Sequence, residues 1–312
     1  MSKQTTGIHH ITAIVGDPQE NVDFYAGILG LRLVKKTVNF DDPGTYHLYF
    51  GNEGAEPGTI ITFFPWIGAY QGEIGGGQVG ITTYAIPEGT MSFWRERLEK
   101  FNITVNELSR FNEDYLQFED PHGLKLELVE RSGGKLNHRT FGDITPEVAI
   151  KGFGGAVLYS TNSEKTLNTL KETMGLNQIN ENDESIRFQS SGDIGNIIDV
   201  KKTNVPRGRM GVGTVHHIAW RANDKEDLLA WQNYVADKGE FVTEVKDRNY
   251  FNAIYFREAG EILYEIATDP PGFAHDESYE TMGEALKLPP QYESHREKLT
   301  RTLVPIEVRE LD

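Results

Sequence analysis

The sequence contains no cysteine. Disulfides, a thiol nucleophile and a zinc–thiolate site are thereby excluded, so any metal must be held by histidine, aspartate or glutamate. Positive charge is scarce as well: 31 Lys+Arg against 47 Asp+Glu leave a formal net charge of −16. No Lys/Arg-rich run interrupts that balance, and a chain this acidic is a poor partner for nucleic acid or an anionic membrane. No apolar run approaches the roughly 18 residues of a membrane span, and the opening MSKQTTGIHH has no apolar signal core. These absences fit a soluble cytoplasmic protein. With 38% apolar and 25% charged residues over 312 positions, the chain has enough core-forming residues for two domains.

What the sequence does have is internal repetition. GIHHITAIV (from Gly7) and TVHHIAWRA (from Thr214) are matching strand-like runs, each carrying a double histidine, in a chain with nine histidines. The first run leads into a helical pattern from Pro18, with Val22, Phe24, Tyr25 and Leu29 on one face and a stop at Gly30. Three β-rich runs follow: RLVKKTVNF, TYHLYFG and GTIITFFPW. The same strand–helix–three-strand order returns from GQVGITTYAI, GFGGAVLYST and TVHHIAWRAN. Counting fixes the register. His10 to Gly30 and Gly155 to Gly175 each span 20 residues and His217 to Gly239 spans 22, so His10, Gly155 and His217 share one repeat position, with Gly80 expected there in the second unit. The expected domains are 7–131 (units one and two) and 152–268 (units three and four). The Gly/Pro-rich segment 132–151 reads as their linker, and 269–312 as a C-terminal arm.

Four βαβββ units with polar positions on their first and last strands resemble the vicinal oxygen chelate superfamily, which includes glyoxalase I, bleomycin-resistance proteins and extradiol dioxygenases. DDPGTYHLYFG, PGTIITFFPW, GTVHHIAWRA and YFREAGEILYEIATDPPGF are similar, more narrowly, to ring-cleaving dioxygenases linked to hydroquinone and quinone resistance. The resemblance implies an α+β fold of two half-open barrels, each built from two units. It implies first-strand metal ligands at His10 and His217 and last-strand candidates at Glu265, Glu127, Asp199 and the neighbourhood of Thr62. Pairing units one with two, or three with four, gives at most one histidine per barrel. Pairing one with four and two with three collects His10, His217 and Glu265, and this arrangement is expected. Strand alternation would then turn His9 and His216 to the opposite face, as packing or supporting residues. Glu127 is expected to be a relic satisfied by a basic group or solvent, His122 to be structural, and His138 and His295 to be solvated.

Two histidines and one carboxylate are the donor set of non-haem Fe(II) oxygenases, although Zn, Mn or Ni also suit such donors. The resemblance therefore implies Fe(II), O₂ and an aromatic diol as reactants. It places Tyr255, ten residues before Glu265, as a hydrogen-bonding catalytic residue. The acid–base histidine usual in catechol-cleaving relatives is missing from EPGTIITF, and His47 is the expected substitute. Arg248 and His275 are expected substrate-binding residues, and Phe63, Phe64, Trp66 and Trp220 candidate pocket walls. A non-redox glyoxalase-like lyase is the alternative, weakened because its second carboxylate would sit near Thr62. Edge strands and the long tail make a homodimer plausible.

Overall fold

The computed structural model describes residues 3–311. Four consecutive units each contribute four strands: β1 (Ile8–Val15), β2 (Arg32–Val38), β3 (Tyr46–Gly51) and β4 (Ile60–Pro65); β5 (Gln78–Ile86), β6 (Asn106–Arg110), β7 (Glu113–Glu119) and β8 (Lys125–Glu130); β9 (Gly152–Tyr159), β10 (Asn177–Glu181), β11 (Ser185–Gln189) and β12 (Ile197–Lys201); β13 (Thr214–Ala222), β14 (Lys246–Asp247), β15 (Phe251–Arg257) and β16 (Leu263–Pro271). A helical segment follows the first strand of every unit. In the first unit Asp17 caps the helix by accepting from the Gln19 and Glu20 amides, and Pro18 occupies its first turn. The helical run ends before Gly30, whose φ of +68° suits glycine.

Units one and four share one eight-stranded sheet, in the order β14-β15-β16-β13-β1-β4-β3-β2. Units two and three form the other, β10-β11-β12-β9-β5-β8-β7-β6. The chain thus closes its first unit on its last, as the histidine count requires. The central contact of each sheet is antiparallel, β1 with β13 and β5 with β9. One continuous apolar core draws on all four units.

Two features differ from the sequence reading. The β1–β13 pairing slips at two points: Ile8 faces Trp220 and His10 faces Ala219, then Thr12 faces His217 and Ala13 faces Val215. His9 and His216 are therefore the extra residues of two β-bulges, and strict alternation fails at both. The β5–β9 pairing slips at the same places, where the bulged residues are Gly80 and Gly154. Register then matches Ile81, not Gly80, to His10, while Gly155 does match His217. A Cβ on Gly80 would lie 2.5 Å from the Tyr159 ring, so that bulge needs glycine.

The segment after β16 wraps the first unit. Lys287 donates its amide to the Lys36 carbonyl, and the buried Lys35 ammonium is held by Asp276 and Glu277. Phe273 and Met282 from this segment join Tyr49, Phe251 and Ala267 in a second apolar cluster.

Candidate metal centre

The last-strand polar positions fall in one register. Thr62 pairs with Thr12, Glu127 with Thr83, Asp199 with Val157 and Glu265 with Ala219. In the second sheet the two acids are consumed internally. Glu127 is fully buried and accepts from Arg110 through both oxygens, from Gln117 and from Thr83. Asp199 accepts from Arg187 and Arg110. With Ile81 and Gly155 in place of histidine, these acids are satisfied by arginines.

In the first sheet the outcome is opposite. His10 Nε2 lies 3.4 Å from Glu265 Oε2 and 3.4 Å from His217 Nε2, and His217 Nε2 lies 2.8 Å from the same carboxylate oxygen. All three residues are buried, Glu265 completely. Among the described residues neither Glu265 oxygen receives a hydrogen bond. A buried carboxylate without donors is costly unless something else satisfies it. Donors about 2.1 Å from one ion sit about 3.0–3.4 Å apart; the two 3.4 Å separations match that spacing and the 2.8 Å one is about 0.2 Å short of it, so a small shift of one side chain lets the three share a divalent metal. They are also the His/carboxylate group, among the described residues, whose ligand atoms lie within 4.8 Å of one another. Burial lowers His217 despite Glu265.

The bulges explain the double histidines. His9 Nδ1 lies 2.9 Å from His10 Nδ1, and His9 Nε2 lies 3.1 Å from the Thr268 carbonyl. A carbonyl only accepts, so His9 Nε2 carries the hydrogen. Burial, then the neighbouring His10, keep His9 neutral. Its Nδ1 is thus a bare acceptor for His10 Nδ1–H, which leaves His10 Nε2 as a lone pair facing Glu265. His216 and His217 repeat the contact, Nδ1 to Nδ1 at 2.8 Å. Burial, then His217, lower the His216 imidazole to about 3.

A cavity of about 350 Å³ opens onto the triad, walled by Phe40, His47, Tyr49, Phe64, Trp66, Arg248, Phe251 and Tyr255. Phe64 and Trp66 line it as expected, whereas Phe63 and Trp220 face the core. Tyr255 is the direct cross-strand partner of Glu265, which is what the ten-residue spacing amounts to in this hairpin. The Arg248 guanidinium donates to Tyr255 Oη at 3.2 Å and lies 3.5 Å from Asp41. Burial, then Glu265, hold the Tyr255 phenol above its usual range, so it stays protonated. His275 is exposed and does not line the cavity, because the arm turns Phe273 inward instead. His122 is buried and accepts the Asp17 amide, while His138 and His295 are exposed. Sequence reasoning missed Thr12 and Tyr49 as wall residues; their only signal was lying two residues from His10 and from His47.

The chain belongs to the glyoxalase/bleomycin resistance protein/dioxygenase superfamily, whose model matches residues 7–128 and 152–274. It is 66% identical over 312 residues, the full length of both chains, to a Bacillus subtilis (strain 168) protein named "Putative ring-cleaving dioxygenase MhqO". It is 35% identical over 314 residues, covering 97% of each chain, to the chlorohydroquinone/hydroquinone 1,2-dioxygenase of Sphingobium indicum. A crystal structure of a Bacillus subtilis protein described as a "putative dioxygenase" superposes with a TM-score of 0.99 at 66% identity, covering 99% of this chain and 100% of the other. Glyoxalase I from Zea mays shares the fold at a TM-score of 0.63 and 12% identity, covering 84% of this chain and 92% of the other.

Proposed function

We propose that this protein is an extradiol-type ring-cleaving dioxygenase that uses Fe(II) and O₂ to open a hydroquinone- or catechol-type ring, in cytoplasmic detoxification of quinone-forming aromatics. The observation that carries the reading is the buried, donorless Glu265 facing His10 and His217 at the base of an aromatic-walled cavity. Its relatives' names, which specify ring cleavage and hydroquinone, supply the substrate class. A lyase with a second carboxylate ligand is disfavoured by Thr62, whose hydroxyl is engaged by Thr12 and His47.

In this reading His10, His217 and Glu265 hold the metal, and His9 and His216 orient the two imidazoles. Bound there, a ferrous ion supplies the one-electron chemistry that lets O₂ react with an aromatic ring. Phe64, Trp66 and Phe251 clamp a flat ring and exclude water. Arg248 donates to the Tyr255 oxygen, so the Tyr255 hydrogen is free to point at a substrate oxygen. The Arg248 cation favours an ionised phenol beside it.

The test is O₂ uptake by protein purified without air, loaded with Fe(II), and offered methylhydroquinone and catechol in parallel. Stoichiometric uptake with a ring-opened chromophore is expected, and His217→Ala is expected to lose both metal and uptake. Stoichiometric metal retained by His217→Ala, or a fully iron-loaded protein inert toward both diols, would refute the assignment.

A further inference from the structure

His47 faces the cavity, but both of its ring nitrogens are occupied. Nδ1 lies 2.9 Å from Tyr49 Oη and Nε2 lies 2.9 Å from Thr62 Oγ1. Thr62 Oγ1 in turn lies 2.8 Å from Thr12 Oγ1. The chain Thr12–Thr62–His47–Tyr49 is buried throughout, yet Thr12 at one end and Tyr49 at the other both line the cavity. The sheet builds this row directly. Thr12 pairs with Thr62 across β1–β4, and Thr62 pairs with Tyr49 across β3–β4, so one rung crosses three neighbouring strands. Two strand spacings carry it about 10 Å. His47, two residues from Tyr49, lies on the same face of β3 and closes the gap. Thr12 is also two residues beyond His10, which puts its hydroxyl beside the metal position.

We propose that Thr12, Thr62, His47 and Tyr49 form a proton wire that takes the proton of a phenolic hydroxyl at Thr12 and releases another at Tyr49. The proposal rests on the reading that the cavity binds a phenolic ring. In the receiving polarity His47 Nδ1–H donates to Tyr49 Oη, Thr62 O–H donates to His47 Nε2 and Thr12 O–H donates to Thr62. The Thr12 lone pair then faces the cavity and accepts the substrate O–H. Each proton moves one bond along. The substrate proton passes to Thr12 Oγ1, the Thr12 proton to Thr62 Oγ1, and the Thr62 proton to His47 Nε2. The His47 Nδ1 proton passes to Tyr49 Oη, and the original Tyr49 proton passes to solvent water at the cavity mouth, which takes it up as hydronium. The products are one phenolate and one released proton, with every wire residue neutral and every hydrogen bond reversed in direction. Running backward, the wire returns a proton to the ring-opened product and resets itself. Neutrality suits the site. Burial, then His10 and His217, hold His47 far below an ordinary imidazole, and burial holds Tyr49 above an ordinary phenol.

Thr62 is a positioning residue here, and Thr62→Val removes only its hydroxyl. The probe is 4-nitrocatechol, whose visible band reports ionisation, mixed by stopped flow with the Zn(II)-loaded protein, so that no turnover is needed. Wild type is expected to form the bound anion quickly and with a solvent deuterium isotope effect. Thr62→Val is expected to keep its zinc and final amplitude but ionise the probe about 10²-fold more slowly. Tyr49→Phe should behave the same way, and Thr62→Ser should restore the rate. Unchanged ionisation kinetics in a zinc-replete Thr62→Val protein would overturn the wire and leave the phenolic reading standing. A wild-type protein that binds no probe, or binds it un-ionised, would overturn that reading and the wire with it.

Discussion

Glu265 and Glu127 occupy the same repeat position, are both fully buried and lie on the strand next to the central pair of their sheets, so replacing each by leucine is an informative pair. Glu127 receives hydrogen bonds from Arg110, Gln117 and Thr83, and an arginine cannot shed its proton. Glu127→Leu strands that cation with Asp199, 2.6 Å away, as its remaining carboxylate. Breaking a buried ion pair costs about 3–5 kcal/mol, and the surviving Asp199 contact puts the expectation near about 3 kcal/mol. Glu265 receives no hydrogen bond, and its neighbours are histidines that become neutral by losing a proton. Glu265→Leu leaves no stranded charge and removes a desolvated carboxylate, so the metal-free protein should keep its stability or gain up to about 3 kcal/mol. Metal narrows the gap between the two variants and raises wild type relative to Glu265→Leu. At a hundredfold excess over Kd, a bound ion adds about 2.7 kcal/mol to wild type and Glu127→Leu but nothing to Glu265→Leu. Urea unfolding at pH 7.5, with chelator and then with Mn(II), measures all of these. A metal-free Glu265→Leu protein more than about 1 kcal/mol less stable than wild type would refute the reasoning, because Glu265 would then be a structural residue.

Three further outcomes are expected. His9→Leu and His216→Leu should each lower metal affinity about 10- to 100-fold in a competitive titration while the protein stays folded; unchanged affinity would mean the Nδ1 contacts do not set the ligand tautomers. Tyr255→Phe should retain stoichiometric metal and lose about 10²-fold in turnover, whereas full activity would remove Tyr255 from the reaction. Stability of the metal-free protein should fall with acid. His9, His47 and His216 are held neutral by burial, with folded values depressed, His216 to about 3, while the unfolded chain titrates near 6.5. Below pH 6.5 the unfolded state binds more protons, so each histidine removes about 1.4 kcal/mol per pH unit until its folded value is reached. Equal urea midpoints at pH 7.5 and 5.5 would contradict this.

The sequence by itself determined the four-unit repeat, the metal-ligand candidates and the pairing of the two outer units with each other and of the two inner units with each other. The repeat follows from local periodicity, the ligand candidates from the superfamily resemblance laid over that repeat, and the pairing from counting which arrangement gathers two histidines and a carboxylate. His10, His217 and Glu265 were legible because a repeat position is preserved along the chain whatever packs against it. Tyr255 was legible through the resemblance, whose ten-residue spacing before Glu265 the structure shows to be a cross-strand pair. Only the tertiary structure decided the rest. The bulges at His9 and His216 arise where strands some 200 residues apart pair out of step, and a slip between two strands leaves no mark in either one alone. The same slip moved the second unit's equivalent of His10 from Gly80 to Ile81. His275 was misplaced because the arm's path depends on Phe273 finding the cluster around Tyr49 and on Lys35 holding Asp276 and Glu277. The row from Thr12 to Tyr49 crosses three strands at right angles to the chain. It is a contact between residues whose only relation is sheet register, and that register is settled where β4 inserts between β1 and β3 of the first unit.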